Sequence, residues 1–131
     1  MARGFALYDV RDLQETASVG SDGTALVNFG SPDQGHHWKV TLIAVWSNSA
    51  VNGPARIFLD DPSVTANFRG GTGSGTGDMD TAATLWVPSS RELVVQWAGL
   101  TPGATCTAVI QFEDLIGVAL PSDYRLFPGG G

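Results

Sequence analysis

Apolar and polar residues alternate along most of this chain, in short runs broken by glycine, proline and small polar residues. That is the period and the punctuation of β-strands rather than helices. The clearest run is Trp38 to Trp46, where Trp38, Val40, Leu42, Ala44 and Trp46 share one face and Lys39, Thr41, Ile43 and Val45 the other. Because the second face is also half apolar, a central strand is expected. Thr24 to Phe29 precedes it, with Ala25, Val27 and Phe29 on one side. Ser31, Pro32, Asp33, Gln34 and Gly35 supply turn chemistry between the two runs, which predicts an antiparallel pair.

Further on, the polar connection from Ser47 to Pro54 is long enough to cross the top of a sandwich, and Ala55 to Asp60 reads as a strand closed by Asp61 and Pro62. Thr84 to Val87 resumes the alternation. Arg91 to Ala98 places Leu93, Val95 and Trp97 on one face, and Thr105 to Phe112 turns Cys106, Ala108, Ile110 and Phe112 inward. Thr101, Pro102 and Gly103 between these two runs predict a hairpin. Short strands at this spacing predict an all-β chain with a single antiparallel β-sandwich of roughly seven strands, jelly-roll or immunoglobulin-like.

Three segments stand apart. Residues 1–18 support two readings, since Leu7, Val10, Leu13 and Ala17 have helical spacing while Phe5 and Leu7 fit the edge of a sheet; the segment is taken as an N-terminal arm or edge element. Arg69 to Asp80 is so rich in glycine that it has little to bury, and is expected to be mobile or ordered only against a neighbour. The sandwich is expected over residues 19–113. Beyond it, residues 114–131 hold Tyr124, Leu126 and Phe127 among prolines and glycines, a tail expected to dock on another subunit.

Length and charge narrow the function classes. A chain of 131 residues fits one domain with one core. The net charge of -6 and a single lysine, Lys39, leave no basic surface for nucleic acid. No run is long and apolar enough to span a membrane as a helix, and nothing near Met1 resembles a secretion signal, so folding in a cytosol is expected. Cys106 has no partner for an intramolecular disulfide and alternates with inward positions, as a buried apolar side chain would.

Candidate chemistry is sparse. Serine or cysteine hydrolysis needs a histidine oriented by a carboxylate, and only His36 and His37 are available, both read as polar residues leading into a strand. Gly70 to Gly77 matches neither phosphate-loop spacing, and neither the pair Asp78 and Asp80 nor the pair Asp60 and Asp61 falls in a calcium-loop pattern. No cofactor or metal is expected. Trp38, Trp46 and Trp97 read as core, whereas Trp86 shares its face with Thr84 and fits either an outward contact anchor or a second buried face.

From Asn67 to Phe112 a glycine- and threonine-rich loop (Gly70 to Asp80) leads to Leu85, Val87 and Pro88, then to a strand ending in Trp97, then Gly99, and then the turn Thr101, Pro102, Gly103, Ala104, Thr105. Together with the turn Ser21 to Thr24, the run into Val27 and Trp38 opening the next strand, this resembles the small β-sandwich virion proteins of actinobacterial tailed phages, labelled minor tail or decoration proteins. The likeness spans about Val19 to Phe112. Six arginines against one lysine also suit a GC-rich genome. The resemblance implies a non-enzymatic, tail-associated structural protein of the virion that forms a homo-oligomer and meets tail or capsid proteins through its arm, glycine-rich loop and tail. Trp86, Arg69, Asp78, Tyr124, Leu126 and Phe127 are the expected interface residues. A capsid decoration protein is the first alternative, and a carbohydrate-binding module, meeting a host glycan through Trp86 or His36 and His37, is the second.

Overall fold

A computed structural model describes residues 3–78 and 85–119, all but a single short turn of its regular structure being strand. The strands are β1 (Arg3–Ser18), β2 (Ala25–Gly30), β3 (His36–Ser47), β4 (Ala55–Leu59), β5 (Phe68–Thr72), β6 (Gly77–Asp78), β7 (Leu85–Pro88), β8 (Leu93–Trp97) and β9 (Thr105–Ala119). One sheet, made of the long strands, runs β1-β9-β3, and β6 and β7 share its far edge end to end beside β3. The other, of short strands, runs β2-β8-β4-β5. With β6 and β7 counted as one broken strand, the chain fills eight positions in two antiparallel four-position sheets, the connectivity of a jelly roll.

This connectivity overturns two pairings expected from sequence. β2 and β3 do not pair, because the turn between them carries the chain from the short sheet to the long one. The Thr101, Pro102, Gly103 turn likewise joins β8 to β9 across the sandwich and is no hairpin. A turn residue fixes where the chain reverses, and it leaves open whether the next strand lies beside the last or on the facing sheet. Of the two readings of residues 1–18, the edge strand holds over Arg3–Ser18, paired with β9 along its whole length. β9 in turn extends to Ala119, beyond the expected end of the sandwich.

The core is the interleaved inner faces. Leu93, Val95 and Trp97 of β8 meet Ala55 and Ile57 of β4, and across the gap Ile110 and Phe112 of β9 and Val87 of β7, all at or near zero exposure. Phe112 also packs on Trp38, with ring centroids 4.5 Å apart. Cys106 is fully buried, and burial pushes its thiol pKa up.

β3 departs from the simple alternation read in its sequence. A bulge between Val40 and Leu42 leaves Thr41 without a partner in β9, its hydroxyl donating to the Gln111 carbonyl at 3.1 Å. The extra residue reverses the phase of everything after it. Trp38 and Val40 point inward as expected, but Ile43 and Val45 then take the core, and Leu42, Ala44 and Trp46 face outward. Trp46 is therefore half exposed rather than a core residue.

The glycine-rich stretch is also more ordered than its composition suggests. Its first part forms β5 against β4, and Gly77 opens β6 against Val45. Gly75, at φ 71°, brings its carbonyl to the fully buried Trp97, whose Nε1–H donates to it at 3.0 Å. Residues 69–78 are thus tied to this chain's own strands and core through β3, β4 and Trp97.

Beyond β4, Asp60 adopts a left-handed conformation at φ 72°, the one such non-glycine residue among those described. Its strain is held by a knot of bonds: Asp60 N–H donates to the Glu92 carbonyl, and the Asp60 carboxylate accepts from Glu92 N–H at 2.8 Å and from Arg91 Nε. Arg91 also donates to the Leu59 carbonyl and to Asn67 Oδ1. The Glu92 backbone N–H, and after it the Arg91 side chain, hold the Asp60 carboxyl below its ordinary pKa.

Three outcomes follow from this packing. Asp60→Ala should lower unfolding free energy by about 2–3 kcal/mol in denaturant melts, with Asp60→Gly regaining roughly 1 kcal/mol by relieving the left-handed strain. Because the folded-state pKa of Asp60 is depressed, its contribution is present above the ordinary value of 3.8 and fades as pH falls through the lower folded value, so the gap between wild type and Asp60→Ala should narrow in acid. Trp97→Phe keeps most of the buried ring but strands the Gly75 carbonyl, and should cost about 1–3 kcal/mol by thermal or chemical unfolding.

Candidate interaction surface

The outward face of the long sheet is built by register. Leu7, Leu115, His37 and Pro88 lie in one row across β1, β9, β3 and β7, and Val10, Glu113, Lys39 and Trp86 in the next. Beyond the Thr41 bulge come Asp12, Gln111 and Leu42, then Gln14, Val109 and Ala44, then Thr16, Thr107 and Trp46. Phe5, Leu7, Val10, Trp46 and Trp86 are all between 44% and 65% exposed on this face. Large apolar side chains on the solvated side of a sheet are what an interaction surface presents.

The face has aromatic groups at both ends. Trp46 stands at one, roughly 20 Å along β3 from the other. There the Phe5 ring lies over the position opposite Gly117 and meets His37 edge-on, 4.9 Å between centroids, and Trp86 at 6.1 Å. His37 Nδ1 is buried beneath this group, with no hydrogen-bond partner among the described residues. In the row holding Trp86, Lys39 and Glu113 oppose one another in adjacent strands without closing an ion pair.

His36 points the other way. Its Nδ1 lies 2.8 Å from Asp114 Oδ1, and Tyr8 packs edge-on against its ring at 5.0 Å. Asp114, 3% exposed, is the one buried charged residue among those described. It lines a polar cleft of about 210 Å³ at the mouth between the sheets, shared with Arg11, Asp33 and Trp38. The two histidines expected as loop-side neighbours are therefore strand residues on opposite faces, each half buried. His36 and Asp114 are spaced as a histidine and its orienting carboxylate are in a hydrolytic triad, and among the described residues no hydroxyl or thiol bonds to the ring.

The expected interface residues separate. Trp86 takes the outward option, 44% exposed. Asp78 lies on the same edge through its backbone pairing with Ala44; its side chain is outside the described residues. Arg69 sits in β5 of the other sheet, where its guanidinium donates to the Ala66 and Phe68 carbonyls and braces a turn. Tyr124, Leu126 and Phe127 lie outside the described residues. Sequence reasoning missed Trp46, Val10 and Leu7. The alternation hid Trp46 behind the bulge, and the helical spacing in residues 1–18 hid the other two; Thr41, a polar residue inside an apolar run, was the available signal. Compared with known protein families and with curated protein sequences, the chain matches none.

Proposed function

We propose that this chain is a non-enzymatic structural protein of a phage virion, tail-associated, which joins the particle through the outer face of its long sheet. The observation that carries the reading is that face itself: five large apolar side chains, Trp46 and Trp86 among them, exposed on a rigid sheet of strands up to sixteen residues long. A preformed apolar face costs little ordering entropy when it docks, which suits a protein bound in many copies to a repeated surface. The jelly-roll connectivity favours the second placement, on the capsid shell, since this architecture recurs in viral capsids as well as in lectins.

The grouping of Trp86 with Phe5 and His37 supports the alternative of a glycan contact, because an exposed indole flanked by a ring and an imidazole is a surface on which a sugar face can lie. Host-glycan array binding abolished by Trp86→Ala would carry that reading; binding unchanged by the substitution, or no binding, would count against it.

For the assembly reading, Trp46→Ser combined with Trp86→Ser should leave the melting curve nearly unmoved, as both side chains are half exposed, yet reduce incorporation into purified particles at least about tenfold. Undiminished incorporation would refute a role for the face. A density map of particles carrying the wild type would separate the two placements, tail tube or tip against regular lattice positions on the shell.

A further inference from the structure

The long sheet ends on one side in β3's partners β6 and β7, and on the other in β1, whose outer edge faces no other strand of its own sheet among the described residues. A free edge carries unpaired N–H and C=O groups, a template for a strand from another chain, and proteins ordinarily blunt it with proline or lysine. β1 contains neither. Leu13 and Ala17 pack on the core, while Leu7, Tyr8, Asp9, Val10 and Arg11 form an uninterrupted exposed run in its N-terminal half.

In that half stand the three most exposed large apolar side chains of the described residues, Val10 at 65%, Tyr8 at 64% and Leu7 at 58%. Beside them are two opposite charges. Asp9 and Arg11 flank Val10 and share the inward face, opposite Asp114 and Phe112 of β9. Arg11 lies 5.8 Å from the Phe112 ring and has no ion-pair partner among the described residues. The Asp9 carboxylate turns back on its own strand to accept the Val10 N–H at 2.9 Å.

We infer that a second copy of this chain pairs with β1 edge to edge, antiparallel, with Val10 opposite Val10 of the other copy. Two copies related by a twofold axis perpendicular to a continuous sheet must set like-facing residues opposite one another, so one residue always meets its own counterpart. An axis at Asp9, Arg11 or Asp12 sets like charges together. One at Tyr8 or earlier centres on or before the bulge there and sets Val10 opposite Ala6 or a residue before it. One at Leu13 or later takes Val10 off its counterpart and sets it opposite Thr16 or a residue beyond it. With the axis at Val10, each Arg11 faces an Asp9 of the other copy, the two valines bury one another, and the Asp9 carboxylate exchanges its local bond for a guanidinium. The pairing is independent of the virion reading, and would hold whatever the dimer joins.

Sedimentation equilibrium of the full chain should show a dimer forming as concentration rises. Arg11→Asp, which opposes two carboxylates twice per dimer, should raise the dissociation constant at least about tenfold, and the exchange Asp9→Arg with Arg11→Asp should restore it to within about threefold. Val10→Cys should be captured as a covalent dimer by a short thiol cross-linker far faster than Phe5→Cys or Glu15→Cys, with Cys106 silent because it is fully buried. A monomer at every concentration up to about 1 mM would overturn the inference. So would charge exchange without rescue, or cross-linking that peaks at Phe5 or Glu15.

Discussion

The structure depends on β9 finding its place between β1 and β3. It is the strand through which the long sheet becomes continuous, bonded on one side to β1 from Arg3 to Ser18 and on the other to β3 from His36 to Ser47. Its inward residues Cys106, Ala108, Ile110 and Phe112 are fully buried. None of its partners is near it in sequence, so loop-closure entropy must be met before any of this pairing is formed. Until β9 arrives, β1 has no sheet to belong to and β3 lacks half its hydrogen bonds.

That constraint divides the molecule's labour. The short sheet is buried on both sides at its centre: Val94 and Phe58 point away from the core, yet both are covered, with Phe68 packed edge-on over Phe58 from the turn that Arg91, Asn67 and Asp60 hold in place. Among the described residues the outer face of the long sheet is covered only near His37 and Leu115, where Phe5 packs on the imidazole. Two bulges, at Tyr8 and Thr41, decide which side chains appear there, and between them they turn Val10, Leu42 and Trp46 outward.

Strand positions were legible in the sequence because alternation reports local burial, and β2, β4, β7 and β8 fall within a few residues of where the pattern puts them. Pairing was not. Alternation is blind to which sheet a strand joins, and the tempting hairpins at Ser31 to Gly35 and at Thr101 to Gly103 both cross the sandwich. The surface was half legible. Trp86 could be placed outward as one option because the run around it is short and unbulged, whereas Trp46 could not, since one inserted residue reverses a period of two. The order in residues 69–78 was hidden for another reason: it is supplied by Trp97, about twenty positions on, and glycine composition says nothing about a distant indole.

The division of the four tryptophans has an optical consequence. Trp97 is sealed in the core and Trp38 is buried beside the polar cleft, while Trp46 and Trp86 stand half in water at opposite ends of one face. Intrinsic fluorescence should therefore contain two populations, a bluer-emitting pair that reports whether the sandwich is folded and a redder-emitting pair, open to a collisional quencher, that reports whether the outer face is covered. The protein carries its own separate gauges of integrity and of occupancy, and no label is needed to read either.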